Sequence, residues 1–336
     1  MCYIPAVYWG RRMRRRHFIS VTGSAAAWPL ASRAQQTRVW RVGFISPAFP
    51  PEKDPAGAPA WGAFLQRLKA LGYNEGKNLI IEARYAEGIA DRLPGLAAEL
   101  VAMPCDVIVA LATPAIAAAQ RATSKIPIVM SPSTDPIGSG FVKSFARPGG
   151  NITGVANLYG DMTAKSIELL HAIVPHARKI GVLMSSNPTH PRLYDIARAA
   201  AESLGLSTVP AVARVPDDLD RAFQEMAKQN CDALFPLADP IRPTLVALVA
   251  QYKLPAMYQF SQYPDSGGLA SYGANAEAML VKSAEYVDKL FKGADPATLP
   301  VEQPTTFEFV LNLKTAKSLG LSIPELVLVR ADRIIE

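Results

Sequence analysis

Short uninterrupted apolar runs alternate along this chain with longer segments whose apolar positions recur every three to four residues. That alternation predicts strand, helix, strand, helix from residue 41 to near the C terminus. Strands that are apolar throughout are buried on both faces, so the pattern predicts parallel sheets covered by helices. In the first half the spacing predicts strands over 41–46, 78–85, 106–111 and 126–130. Helices are expected over 60–71 and 91–103, from Thr113-Pro114 onward, and from Asp135-Pro136 to about Arg147. Gly72 is read as a helix stop, with Asp91 and Thr113 as caps. The punctuation Arg147-Pro148-Gly149-Gly150-Asn151 ends this half, and a strand over 152–157 leads across to the next. There the spacing predicts helices over 162–173, 191–204, 217–229 and 243–251, with strands over 179–184, 207–214, 233–237 and 256–259. A short strand ending at Gly273, a helix over 276–291, a strand over 307–311 and a helix over 313–319 complete the pattern.

The two halves repeat one another. Cys105-Asp106 leads into an apolar strand, then Ala112-Thr113-Pro114, a helix, and Lys125-Ile126-Pro127 before the next strand. Cys231-Asp232 leads into the same succession, with Ala238-Asp239-Pro240 and Lys253-Leu254-Pro255. A repeat unit of this length is a domain, not a solenoid turn. The expected fold is therefore α/β: two doubly wound, Rossmann-like lobes of three layers, facing each other across a cleft where small ligands bind at strand ends.

Composition first suggests, then removes, a nucleic-acid or membrane partner. The formal net charge is +6, but residues 1–34 hold six arginines and no acid, leaving 35 − 6 = 29 basic against 29 acidic side chains in the rest. The arginines form an export signal: Arg14-Arg15-Arg16-His17-Phe18-Ile19 is a twin-arginine n-region, followed by a mildly apolar stretch to Leu30 and a cut site at Ser32-Arg33-Ala34. Cleavage is expected near Ala34, and residues 1–12 read as an extension ahead of a start at Met13. The mature product is expected in the periplasm, with no spanning segment after Gln35. Cys105 and Cys231 stand at equivalent places in separate lobes, a poor geometry for a bridge, and are expected as small core residues.

Catalytic and metal-binding motifs are absent from the sequence: there is no His-Glu-x-x-His, no Cys-x-x-Cys, no nucleotide phosphate loop and no nucleophile elbow. No cofactor and no enzyme activity are expected. Instead, short polar residues follow the strands: Ser46, Tyr85, Thr113, Ser131 and Thr134 in one lobe, and Ser185, Ser186, Asn187, Asp239, Gln259 and Tyr272 in the other. With the free N–H groups of helix starts they suit a carboxylate, although each could equally be an ordinary cap. Thr113 and Asp239 occupy the same place in the two copies, one suited to a carboxylate and one to an ammonium group, so a single amino acid could engage both lobes.

These residues resemble a known family. The motifs Ala146-Arg147-Pro148-Gly149-Gly150-Asn151-Ile152-Thr153-Gly154-Val155, Gly268-Leu269-Ala270-Ser271-Tyr272-Gly273 and Asn312-Leu313-Lys314-Thr315-Ala316-Lys317 are similar to those of ABC transporter substrate-binding proteins related to tryptophan- and tyrosine-binding receptors, with the type I periplasmic-binding-protein fold. The resemblance implies three hinge crossings, with 38–157 plus 274–300 in lobe one and 158–273 plus 301–336 in lobe two. It also implies delivery of a small solute to an inner-membrane permease driven by a cytoplasmic ATPase, by a receptor that can work as a monomer. By analogy, ligand contacts are expected near Ser46, Thr113, Asp135, Ser186, Asp239 and Tyr272, and the Pro-rich loop Ala48 to Pro59 is a departure that reshapes the cleft entrance. Two other readings compete. An enzyme on two Rossmann-like domains, such as a glycosyltransferase or epimerase, needs a paired acid and base or a nucleotide site. A ligand-sensing regulator needs an N-terminal DNA-binding motif and a basic surface.

Overall fold

The protein is described here by a computed structural model covering residues 38–157, 159–237 and 244–336. The export signal expected in residues 1–34, and Asp239, lie outside the described residues. The first sheet has the order β2-β1-β3-β4-β5 and is parallel throughout, built from β1 (Trp40–Ser46), β2 (Leu79–Tyr85), β3 (Val107–Ala110), β4 (Ile128–Ser133) and β5 (Ile152–Ala156). Between these strands run α1 (Ala58–Ala70), α2 (Leu93–Ala102) and α3 (Ala112–Ala122).

Alternation along β3 shows how the sheet is covered. Ile108 and Ala110 join the core beneath α2 and α3, whereas Val107 and Val109 join the core beneath α1 and a helix from much later in the chain, α9 (Ala276–Phe291). All four are fully buried, which is why the run is apolar at every position. On α1 the buried residues Ala60, Phe64 and Leu68 recur at helical spacing, each large one contributing about 1.5–3 kcal/mol on burial. α9 is fixed against this half by Arg67 to Glu285 at 2.8 Å, Tyr73 Oη donating to Asp288 at 2.9 Å, and Phe291 stacked on Trp40. Its first turn is capped by Asn275, whose side chain accepts the Ala278 N–H at 2.9 Å.

The second half contributes α4 (Tyr159–Ile173), β6 (Lys179–Met184), α5 (His190–Ser203), β7 (Ser207–Val212), α6 (Leu219–Lys228), β8 (Ala233–Pro236), α7 (Leu245–Gln251), β9 (Met257–Tyr258), α8 (Gln262–Asp265) and β10 (Ala270–Gly273). After α9 come β11 (Glu308–Asn312), α10 (Leu313–Ser318), α11 (Glu325–Leu328) and β12 (Arg333–Ile335). The ladder β7-β6-β8 joins β9-β10-β11-β12 through a bridge from Leu234 to Ala256, and β11 runs antiparallel to β10. One face of this sheet packs under α4 and α5, the other under α6, α7 and α8. The molecule is thus two doubly wound Rossmann-like lobes, as the alternation predicted.

The repeat persists at the level of single hydrogen bonds. Asp106 Oδ2 accepts the Arg41 N–H at 2.8 Å, and Asp232 Oδ2 accepts the Lys179 N–H at 2.9 Å, each pinning the start of the strand beside it. Gly43 lies against Cys105 and Gly181 against Cys231, so both cysteines are packing residues. They are free thiols, pushed up by burial, in the case of Cys231 to about 11.

A segment lying beside β5 is tied to it by hydrogen bonds. Ala156 N–H donates to Glu302 O at 2.9 Å, Glu302 N–H to Gly154 O at 3.0 Å, and Thr153 Oγ1 to Leu299 O at 2.7 Å. The chain passes between the sheets three times, after β5, after β10 and before β11.

Some expected elements differ. No helix forms over 135–147; turns occupy the stretch instead, because Asp135 Oδ1 takes the Gly138 N–H at 2.9 Å and Gly140 adopts φ +71°. Leu111, not Thr113, is the N-cap of α3, and Ala112 carries φ +63°, turning the chain sharply off β3. A 3₁₀ turn over Ala90–Arg92 precedes α2 in place of an Asp91 cap. Gly72, with φ +97°, ends α1 as expected. Helix α8, helix α11 and strand β12 have no counterpart in the sequence reading. No helix among the described residues is long and apolar enough to cross a membrane.

Candidate functional site

A cavity of about 900 Å³, counting its open mouth, lies where the strand ends of the two lobes face each other. Its walls differ in chemistry. Lobe one supplies Phe44 from β1, Trp61 from α1, Tyr85 from β2, Leu111 after β3, and Met279 and Leu280 from α9. Phe44 packs against Trp61 and Tyr85 with ring centroids 4.6 and 5.9 Å apart, so the aromatic side chains hold one another in place before any ligand arrives. Burial and the nearby Glu52 push the Tyr85 hydroxyl up to about 12, so it remains a neutral donor. The hinge and lobe two add Asn157, Tyr159, Asn187 and Phe260.

Polar groups are few and pre-oriented. Ser46 is buried, and its Oγ accepts the Ala48 N–H at 3.0 Å, leaving its own O–H to donate. Asn157 Oδ1 accepts the Tyr159 N–H at 3.3 Å, and Asn187 Oδ1 accepts the backbone and hydroxyl of Thr189 at 3.1 and 2.9 Å. Asn187 Oδ1 is filled by its two donors, which leaves that amide its N–H groups for a ligand, while Asn157 keeps its N–H groups and one acceptor site. The turn bearing Asn187 is held by His190, whose Nδ1 accepts the Ser185 N–H at 2.8 Å. Tyr159 is buried with no hydrogen-bond partner on its hydroxyl among the described residues, and desolvation holds that hydroxyl well above its ordinary titration range. Asp54 also lines the cavity.

Of the residues expected from sequence, Ser46, Tyr85, Thr134 and Asn187 line this cavity together. Thr113 is buried immediately behind Ala112, with its hydroxyl 3.5 Å from the Thr134 N–H. Ser131 instead bonds to Ser283 beneath α9 at 2.7 Å. Asp135 stands at the rim, paired with Arg192 of α5 in the other lobe, and Gly88 meets Pro216 at a second point of the rim. The two lobes thus meet at these two points of the rim. Ser186 is exposed beside the cavity-lining Asn187. Tyr272 packs near Phe307, 6.3 Å between ring centroids, away from the cavity lining. Sequence reasoning passed over Phe44, Phe49, Trp61, Asp54, Asn157, Tyr159 and Phe260. An aromatic at a buried strand or helix position reads as core, and only the sheet edge turns it toward a cleft. Among the described residues no cluster of His, Cys, Asp and Glu could hold a metal.

Known proteins share this fold. A tyrosine-binding protein of Clostridioides difficile (strain R20291) is 27% identical over 263 residues, 77% of this chain and 75% of the relative. A conserved domain protein from Vibrio cholerae is 30% identical with a TM-score of 0.80, covering 88% of this chain and all of that one. An ABC domain crystallised in complex with L-Trp from Streptococcus pneumonia is 28% identical with a TM-score of 0.78 over the same share of both chains. The model of the ABC transporter substrate binding protein family matches residues 53–335. The chain belongs to that family of solute-binding receptors, which are not enzymes.

Proposed function

We propose that this chain is the exported receptor of an ABC importer, and that it captures an amino acid with an aromatic or large apolar side chain between its lobes without transforming it. One observation carries the reading: the cavity pairs an aromatic and aliphatic wall on lobe one with a small set of hydroxyl and amide donors near the lobe junction. The side chain is buried against Phe44, Trp61, Leu111 and Met279. The carboxylate takes hydrogen bonds from Ser46, Asn157 and Asn187, with Thr113 and the N–H groups at the start of α3 in support. An α-carboxylate is chemically suited to this set, which offers neutral donors in a nearly apolar enclosure. The relatives that bind L-Trp and tyrosine support the same class.

Closure follows from contacts made only when both lobes engage the solute, since a ligand shifts an equilibrium only by its differential affinity for the two states. In this scheme 38–157 with 274–300 moves against 158–273 with 301–336, and Asp135 and Arg192 meet at the rim as the lobes close. The closed form is the one recognised by a membrane permease. Export uses the twin-arginine segment with removal near Ala34, so N-terminal sequencing of periplasmic protein should begin near Gln35.

Calorimetry of refolded, ligand-stripped protein against amino acids and organic acids tests the reading. Aromatic amino acids should bind most tightly, with the negative heat-capacity change of apolar burial. Absence of binding across aromatic and aliphatic amino acids would overturn it, and turnover of a bound compound would favour an enzyme.

A further inference from the structure

We propose that Asp54 reads the far end of the ligand, accepting a hydrogen bond from an N–H or O–H group on its aromatic side chain, so that the receptor selects indole and phenol rings over a plain phenyl ring. The inference rests on the aromatic amino acid reading above and adds the group that discriminates among such ligands.

Three observations carry it. Asp54 is only 3% exposed yet lines the cavity, on the wall made by the Pro-rich loop and α1, together with Phe49, Pro51 and Trp61. No ion pair among the described residues reaches it; its partners are backbone N–H groups, including that of Gly57 on Oδ1 at 3.2 Å. Burial accordingly pushes its carboxyl up from the ordinary value, against the pull of those two backbone donors. Those backbone bonds do not exhaust the carboxylate, which when ionised offers about four acceptor sites on its two oxygens.

The third observation is Gly57. Its φ of −83° and ψ of −19° are open to any residue, so backbone conformation does not require glycine there. Space is tight instead: a Cβ at this position would stand 2.6 Å from Asp54 Oδ2, and the carboxylate would have to turn to admit it. Gly57 also lines the cavity, so a side chain there would crowd Asp54 Oδ2 at the wall of the ligand space. A carboxylate with spare acceptor capacity among aromatic rings rejects a ligand that cannot donate to it, because binding then desolvates the oxygen without replacement.

The experiment compares L-Trp, L-Tyr and L-Phe by calorimetry on ligand-stripped wild type, Asp54→Asn and Gly57→Ala. Asparagine retains Oδ1 for the Gly57 N–H and turns the second position from acceptor to donor. Wild type should bind L-Trp or L-Tyr roughly ten- to a hundredfold more tightly than L-Phe, the range of a hydrogen bond to a charged group. Asp54→Asn should erase that factor by weakening the donor-bearing ligands while leaving L-Phe nearly unchanged, and Gly57→Ala should reproduce the loss. Equal wild-type affinity for L-Phe, or a variant that weakens all three alike, would overturn the role of Asp54. Failure of all three to bind wild type would instead overturn the aromatic amino acid reading on which the role depends.

Discussion

The two lobes share their framework down to individual hydrogen bonds and part company at one loop. β1 ends at Ser46 and α1 begins at Ala58, leaving eleven residues; β6 ends at Met184 and α5 begins at His190, leaving five. The extra length carries Phe49, Pro51 and Asp54 into the cavity, whereas the shorter loop brings Asn187 alone. Around them the copies agree: an aspartate pins the first strand, a glycine packs on a cysteine, and a strand end opens onto a helix. Duplication therefore supplies the clamshell, and divergence of a single loop supplies one side of it with a ligand-shaped wall. Lobe one carries most of the apolar lining, while lobe two contributes the amide of Asn187.

The shared framework is broken most severely at the glycines of the crossings. At Gly273 a Cβ would stand 1.9 Å from the Gln259 carbonyl oxygen, and at Gly154, with φ +127°, 2.5 Å from that of Met130. Both obstacles are backbone and cannot swing aside. Gly273→Ala and Gly154→Ala should each lose more than about 3 kcal/mol in urea unfolding, beyond ordinary overpacking. Gly62→Ala in α1, where nothing lies within 4 Å, should instead gain about 0.5–1 kcal/mol. A similar loss at all three positions would mean that glycine content as such, not backbone proximity, sets stability.

The two walls of the cavity should differ in energetic weight. Trp61→Ala removes a ring stacked on Phe64 and tilted against Phe44, and should weaken aromatic amino acid binding by about 2–4 kcal/mol. Asn187→Ala removes one amide donor to the ligand carboxylate, together with the oxygen that holds Thr189, and should cost about 1.5–3 kcal/mol. Calorimetry on both variants orders the walls; a larger effect at Asn187 would reverse their ranking.

Asp54 links ligand selection to stability with a definite sign. Its folded-state pKa is raised, so the native chain holds more protons than the unfolded one above the ordinary value of 3.8, and stability falls as pH climbs through that window. Asp54→Asn lacks this titration. The melting temperature of the variant should therefore gain on wild type as pH rises from 4, and level off once the folded carboxyl is ionised. A gap that narrows with rising pH would mean that the carboxylate is stabilising in place.

How much of this was legible in the sequence depends on how local its cause is. Strand β6 falls exactly where its apolar run predicts, and α9 over 276–291 does too, because period and capping decide them. The helix expected after Asp135 fails because one side chain captures a backbone N–H and glycine at 140 completes a turn, a competition that residue type alone leaves open. At the site, hydroxyls after strands were visible by position: Ser46 and Thr134 line the cavity as strand-end residues should. Trp61 and Phe44 were not, since an aromatic on a buried face looks the same whether it meets core or ligand. Asp54 was hidden more deeply, inside a loop whose proline content marked it as unusual without revealing which side chain it would bury.

The smallest expected effect lies at the rim, where the lobes touch through opposite charges. Arg192 is 72% exposed and pairs with Asp135, whose carboxylate is already committed to the Gly138 N–H. An exposed pair of this kind is worth about 0.5 kcal/mol at low salt and is screened over about 10 Å at 0.1 M. Arg192→Ala should therefore speed solute release about twofold at low ionic strength, with association nearly unchanged, because the pair forms only after closure. In stopped-flow measurements the difference from wild type should vanish as salt is raised. Persistence of the difference at high salt would mean that Arg192 acts through packing of its stem against lobe one, and the contrast between a charged rim and an apolar wall would then no longer describe how the cleft stays shut.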